Sequence, residues 1–236
     1  MPTEHLSQPT FALADALIVD PFYLAISADF AHDMPQRKAV LAAYFAYSLG
    51  EAERTGRCLL PEDPALGAAA WLLPRADPVD AAESAAKNEF LAATLGPLGH
   101  ANYHRIVAFM AQRAPAVVPA DAWYLSILAI SPAAQGRGLG TRLLAPTLAE
   151  ADAAGVPCFL ETFTPPSVRF YERLGFRREA AHREPVGGSS TSSCAARPLH
   201  PCRPRTEPQA RRPVSTRPGK SRGYNRQCLA TIPENM

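Results

Sequence analysis

No stretch of this sequence approaches the 18 or so consecutive apolar residues that a bilayer-spanning helix requires, and no charged start leads into an apolar run of the secretory type. Membrane and exported classes are therefore set aside, and the expectation is a cytoplasmic protein with no membrane partner. Cysteine is sparse and scattered. Five residues, Cys58, Cys158, Cys194, Cys202 and Cys228, are odd in number and form no C-x-x-C pair, which excludes a disulfide framework and a zinc site of the usual spacing. Cys158 lies in an apolar run and reads as a small core residue. What remains is 236 residues with a hydrophobic fraction of 47%, enough for one core domain and an appendage.

Charge is divided unevenly along the chain. Residues 186–236 hold nine Lys or Arg against two acidic residues, a charge of +7, so a net of +2 leaves residues 1–185 at −5. The two segments also differ in texture. After residue 185, Gly, Ser, Thr, Pro and Arg dominate and no apolar period survives. Such a composition cannot bury enough surface to offset its ordering entropy. The division is thus a domain at 1–185 and a basic Pro/Ser/Arg-rich tail at 186–236, expected to be disordered.

Within the domain no internal repeat is visible. Pro35 suits the first turn of a helix over 35–56, with Val40, Leu41, Tyr44, Phe45 and Leu49 on one stripe. Residues 57–60 and 68–73 read as short strands joined by a turn, and 81–95 and 98–113 as helices broken at Gly96-Pro97. The run 123–130 is almost continuously apolar, as in a strand buried on both faces. A Gly-rich turn follows, then a helix over 138–154 that Pro146 should kink, with Leu139, Leu143 and Leu148 as its core face. A strand at 156–162, a short helix at 168–174 and a strand at 176–183 complete an α/β alternation.

A strand that ends in a Gly-rich turn opening a helix is suited to hold phosphate. The first helical turn leaves backbone N–H groups unpaired and carries the positive end of the dipole. Glycines at 136, 138 and 140 keep Cβ atoms out of the way, and Arg137 adds a fixed charge. The spacing is wrong for two common phosphate loops. The third glycine comes one residue early for G-x-G-x-x-G, and no Gly-Lys-Ser/Thr follows for a Walker A loop.

The string from Leu128 through Ser131-Pro132 to Gln135-Gly136-Arg137-Gly138-Leu139-Gly140 resembles the Q/R-x-x-G-x-G/A signature of the GNAT acetyltransferase superfamily. Phe159-Leu160-Glu161-Thr162 and Phe170-Tyr171-Glu172-Arg173-Leu174-Gly175-Phe176 resemble its next strand and its F-Y-x-x-x-G-F helix. The stretch 123–185 is similar in particular to the puromycin N-acetyltransferase branch, which shares the proline at 146.

The resemblance implies an α/β (α+β) fold of the acyl-CoA N-acyltransferase type, a mixed central sheet flanked by helices. It implies an N-acetyltransferase that uses acetyl-CoA as cosubstrate, needs no metal and acts on a primary amine of a small molecule (or peptide), as a monomer or homodimer. Backbone groups of Leu128, Ala129 and Ile130 would hold the pantetheine arm. Amides from Gln135 through Gly136, Arg137, Gly138, Leu139 and Gly140 to Thr141 would hold the pyrophosphate. The thioester would lie where the strands at 123–130 and 156–162 splay apart. Tyr171 would protonate the departing thiolate as an ordinary phenol, and Glu161 would act as base or contact the substrate's charge. His104 and His182 read as structural.

Three departures from the family stand out. Ser167 replaces an Asn before the F-Y segment. Residues 1–11 show no Arg-x-Ala opening strand. Residues 186–195 show no closing strand of the aromatic-x-Met-x-Arg type, so that strand is expected to be missing. A reading frame slipped back one base permits tyrosine, phenylalanine, valine, methionine and arginine at 191–195, which makes the tail a candidate for out-of-frame translation. Two other functions stay open on the sequence. One is a CoA-binding regulator that has lost turnover, through the missing strand or an absent base. The other is nonspecific nucleic-acid binding by the basic tail, whose single aromatic, Tyr224, argues against specific recognition by stacking.

Overall fold

In the computed structural model, which describes residues 7–75, 81–113, 118–119 and 121–196, two aspartates start helices in the same way. The carboxylate of Asp20 accepts the Phe22 amide at 2.9 Å and opens α2 (Pro21–Ile26), which follows α1 (Ser7–Leu17). Asp33 accepts the Gln36 amide at 3.0 Å and opens α3 (Met34–Thr55), with Pro35 in its first turn. Val40, Leu41, Phe45 and Leu49 form the buried stripe of α3, as the periodicity predicts, while Tyr44 is only partly buried.

The hairpin β1 (Gly56–Leu59) and β2 (Gly67–Leu72) leads to α4 (Ala81–Ala111). The non-helical backbone at Gly96, followed by Pro97, breaks α4 into the two helices expected. Asp29 caps the second half from a distance, its Oδ2 accepting the Gly99 amide at 2.7 Å. Asn102 donates to the Ala25 carbonyl at 2.9 Å, and a Cβ on Gly99 would lie 2.2 Å from the Ile26 carbonyl oxygen. These contacts bind α2 to α4 and fix Phe22 and Tyr23 over the sheet.

Next come β3 (Trp123–Ile130), α5 (Leu139–Ala154), β4 (Cys158–Thr162), α6 (Pro165–Glu172), β5 (Arg177–Arg183) and β6 (Ser190–Ala196). The six strands lie in the order β1-β2-β3-β4-β6-β5. Only β3 and β4 pair in parallel; the other neighbours are antiparallel. Helix α5 continues through Pro146, where a kink was expected. Its buried residues are Leu144, Thr147 and Ala151, with Leu143 and Leu148 only partly covered, so the core face is displaced from the one the leucines suggested.

Two hydrophobic clusters cover the two faces of the sheet. Ala68, Ala70, Ile127, Ala129 and Phe159 belong to one, with α1 to α4. Ala69, Trp71, Leu125, Cys158 and Leu160 belong to the other, with α5 and α6. Leu125 and Ile127 would share a face in a regular strand. Here Ala70 pairs with Ile127 and Trp71 with Leu125, so Ser126 is an extra residue in a β-bulge, and the alternation changes phase at that point.

Ser190–Ala196 corrects the expectation of a missing closing strand and of disorder from residue 186. β6 lies between β4 and β5 and pairs with both, and Thr191 to Ala195 are buried. Backbone pairing on both sides holds a segment whose side chains carry no apolar alternation. The buried carboxylate of Glu184 secures the preceding turn by accepting the amides of Val186 at 2.6 Å, Gly187 at 2.7 Å and Ser189 at 3.1 Å. The tail from 197 onward, with Tyr224, Cys202 and Cys228, lies outside the described residues, as do residues 1–6 of the expected opening segment.

Small hydroxyl residues in a central strand carry a cost. Thr191 is 2% exposed and its Oγ1 has no hydrogen-bond partner. Thr191→Val removes that unsatisfied group at nearly constant shape. It is expected to raise stability by about 1 kcal/mol and the melting temperature by about 2–4 °C. Thermal melts of the two proteins check this, and an unchanged or lower midpoint would contradict it.

Candidate active site

The pairing of β3 with β4 spans only Trp123–Leu125 against Cys158–Leu160. Beyond Leu125, at the bulge, the strands part, and two cavities open into the gap. The first, about 140 Å³, is lined by β3 at Leu125–Leu128, by β4 and its end at Glu161–Phe163, and by α3 and α4. The second, about 780 Å³, runs along Leu128, Ala129 and Ile130 to the Gly-rich turn and is walled by α6 and the end of α1. Leu17, Asp20, Leu128, Ser167 and Tyr171 line both. A molecule in one cavity would touch a molecule in the other at these five residues.

The turn itself is built to stay open. Gly136 and Gly138 have φ of 76° and 73°, the left-handed region that side chains disfavour. Gly138 is the N-cap of α5 and brings no capping side chain. No amide from Gly136 to Thr141 has a hydrogen-bond partner among the described residues. A Cβ on Gly140 would lie 3.3 Å from the Phe170 ring, so this glycine lets α5 and α6 approach closely. Unpaired amides at a helix N-terminus facing a roomy groove fit a diphosphate.

Nine of the ten residues expected in this groove line it: Leu128, Ala129, Ile130, Gln135, Gly136, Gly138, Leu139, Gly140 and Thr141. Arg137 does not. It is exposed, and its carbonyl accepts the Arg142 guanidinium at 3.0 Å. Gln135 also departs from its expected part. Its amide bonds the Pro132 carbonyl at 3.4 Å and its side chain bonds the Ile130 carbonyl at 2.9 Å, so it shapes the strand end and offers no free amide. Arg173 supplies a cation in the groove that sequence reasoning missed.

Tyr171, on α6, is buried at the junction. Its phenol is not the ordinary one expected. Burial, with Cys194 and Asp20 nearby, raises its pKa well above 10, so it stays protonated. Glu161 lines the first cavity. Burial raises its carboxyl from 4.5 to about 8, and its Oε2 is buried without a partner.

Asp20 was not foreseen. An Asp before a Pro reads from sequence as a helix cap, and it is one. Its place at the junction depends on the docking of α2 against α4, which no local pattern reveals. Burial raises its carboxyl to about 6, against the pull of the Phe22 and Tyr23 amides. The tyrosines also went unnoticed as a group. Tyr23, Tyr44, Tyr47, Tyr103, Tyr124 and Tyr171 all line the first cavity, six of the chain's seven.

The histidines and Cys158 lie apart from this site. His104 bonds Asn88 at 2.8 Å and His100 at 2.9 Å on α4, and His182 packs edge-on against Phe109. Cys158 is buried in the core, and burial raises its thiol to about 12. Among the described residues no group of three or more His, Cys, Asp or Glu could hold a metal, and no helix is long and apolar enough to cross a membrane.

Residues 61–176, which run from the β1–β2 turn through α6 and hold the whole Gly-rich turn, match the family model for the Acetyltransferase (GNAT) family. This stretch is of the GNAT acetyltransferase family. Solved structures share the GNAT fold across most of the chain's length. A histone acetyltransferase HPA2 and related acetyltransferase of Corynebacterium glutamicum has a TM-score of 0.60 at 20% identity, over 86% of this chain and 97% of that one. A mosquito arylalkylamine N-acetyltransferase like 5b gives 0.53 at 18% identity, over 82% and 95%. A Drosophila melanogaster polyamine N acetyltransferase gives 0.53 at 19% identity, over 82% and 95%. The GNAT sheet here begins with a hairpin, and helices α1 to α3 precede it.

Glu161 makes stability depend on pH in a definite direction. Its folded-state value lies above the ordinary one. The stability it contributes is therefore full below about 4.5 and is lost as pH rises through about 8. Glu161→Gln should melt higher than the wild type at about pH 9, by on the order of 1–3 kcal/mol, with the difference vanishing toward about pH 5. Melting curves across that range check it, and parallel curves would contradict it.

Proposed function

We propose that the protein is an N-acetyltransferase that moves an acetyl group from acetyl-CoA directly to a primary amine of a small molecule. The observation that carries this reading is the junction: two cavities, one fitted to a diphosphate and one lined by tyrosines and carboxylates, meet at Asp20 and Tyr171. Acetyl-CoA supplies an acyl group activated as a thioester. The solved structures with this fold include enzymes named for arylalkylamine and polyamine acetylation, which supports an amine acceptor. The likeness to puromycin acetyltransferases rests on the 123–185 stretch, so the aminonucleoside class is one candidate among small amines.

The chain's own groups divide the work. Backbone groups of Leu128, Ala129 and Ile130, left without a β4 partner, bond the pantetheine arm as an added strand would. The amides of Gly136 and Gly138–Thr141 hold the diphosphate, and Arg173 adds charge. The acceptor arrives as an ammonium. Asp20, ionised above about pH 6, takes its first proton and frees the nitrogen lone pair. Glu161, in the acceptor cavity, accepts a hydrogen bond from the ammonium through its carbonyl oxygen, and once ionised above about pH 8 it serves as an alternative base. As the C–N bond forms and the C–S bond breaks, Tyr171 gives its proton to sulfur, and the second nitrogen proton returns to the phenol or to water. Much of the acceleration comes from holding the two reactants at one point.

Of the two grounds for the impaired-regulator alternative, β6 removes the missing strand, and the turnover assay below addresses the absent base. Thiol release from acetyl-CoA across a panel of amines and aminonucleosides tests the proposal. Tyr171→Phe should lower kcat by roughly 10²–10³-fold with little change in the KM for acetyl-CoA. In the wild type, kcat/KM for the amine should rise with pH through about 6, and Asp20→Asn should remove that limb while lowering the rate. Wild-type rates in both variants would overturn these assignments. A wild type that turns over no amine would overturn the function.

A further inference from the structure

The walls of the acceptor cavity remote from the groove hold a charge arrangement that the acetyl transfer does not use. Glu51 on α3 and Lys87 on α4 both line this cavity and neither lines the groove. Lys87 Nζ donates to both oxygens of Glu51 at 2.8 Å, and their side chains are only 22% and 17% exposed. Burial acts against the Lys87 charge, but Tyr103 and Glu51 outweigh it and hold the ammonium protonated. Glu51 thus has both oxygens engaged, and the cation of the pair stands at the cavity wall.

Apart from Ser48, whose hydroxyl donates to the Tyr44 carbonyl at 3.0 Å, the rest of that region is aromatic or apolar. Tyr44 meets Tyr103 with ring centroids 6.4 Å apart, and Tyr47 stacks on Phe90 at 4.4 Å. Leu91, Val107 and Met110 complete the wall. Of the carboxylates that line the cavity, Asp20 and Glu161 are outside any ion pair, and Asp20 stands where the cavity meets the groove. One end of the cavity therefore welcomes a single ammonium, and the body beyond it meets rings. A second ammonium or a guanidinium reaching the far end would meet Lys87 at close range with no free anion to receive it.

We propose that the acceptor is a monocationic aromatic amine, and that the Lys87–Glu51 pair sets this specificity by rejecting diamines and guanidino-amines. The inference rests on the acetyltransferase reading and deepens it. The ammonium seats at the Asp20 and Glu161 end, the ring lies among Tyr44, Tyr103 and their neighbours, and an uncharged tip reaches Lys87.

The test compares kcat/KM for 2-phenylethylamine, putrescine and agmatine on the full chain at saturating acetyl-CoA, followed by thiol release. Phenylethylamine is expected to exceed both dications by roughly 100-fold or more. Lys87→Met releases Glu51 as a free anion. It should narrow that ratio by roughly tenfold or more through a gain on the dications, and adding Glu51→Gln to it should cancel most of the gain. A wild type that prefers either dication, or a folded K87M that leaves the ratio unchanged, overturns the proposal while the acetyltransferase reading survives. Thiol release with no amine at all overturns the reading and the proposal together. If K87M does not fold, the wild type still decides. With CoA present, phenylethylamine should raise its melting temperature more than putrescine at equal concentration, and the reverse order overturns the proposal.

Discussion

Parallel pairing between β3 and β4 holds for three residues and then fails, and the rest of the molecule is arranged around that failure. The bulge at Ser126 lies where pairing ends. It changes which side chains of β3 face which core, so the strand before it packs Leu125 against α5 and α6 while the strand after it packs Ile127 against α1 to α4. A buried edge of unpaired peptide groups would be costly in a dry core. Here the edge faces open cavities, where water or a bound chain can satisfy it. One extra residue in one strand thus opens the gap, supplies its hydrogen-bonding wall and lets two cavities meet within it.

Electrostatics reinforces the same geometry. Burial raises all three titratable groups proposed to act, Asp20 and Tyr171 at the junction and Glu161 in the first cavity, but to different effect. Asp20 ends near neutrality and is ionised at physiological pH; Glu161 stands about two units higher, and Tyr171 keeps its proton throughout. An ionised carboxylate facing a protonated phenol across the point of reaction is what an amine acylation needs at its two ends. Desolvation separates these roles because each group depends on a different element for its burial: α2 docked on α4 for Asp20, the end of β4 for Glu161 and α6 for Tyr171.

Much of this was legible in the sequence where the pattern is local. The 123–130 run, the turn of alternating glycines and the helix after it were placed to within a residue or two, because apolar continuity and left-handed glycines are local properties. The break at Gly96-Pro97 was legible for the same reason. Asp20 was not, since its function arises from docking between α2 and α4 some 80 residues apart in sequence. The tyrosine lining was not either, because its members come from five elements that share no period. β6 was misread because its stability comes from pairing with β4 and β5 and not from its own side chains; a run of serines carries no apolar signal. Arg137 stands apart from the rest of the turn: its charge suggests a phosphate contact, while in the structure its side chain is exposed, it does not line the groove, and its carbonyl holds Arg142.

The central claim is that the free edge of β3 and the unpaired amides of the following turn receive one extended ligand with a diphosphate. Amide hydrogen exchange with and without CoA measures this directly. The account expects slowed exchange concentrated in Leu128–Ile130 and Gly136–Thr141, with β1 and the first half of α4 unchanged. Protection confined to other elements, or none at saturating CoA, would contradict it.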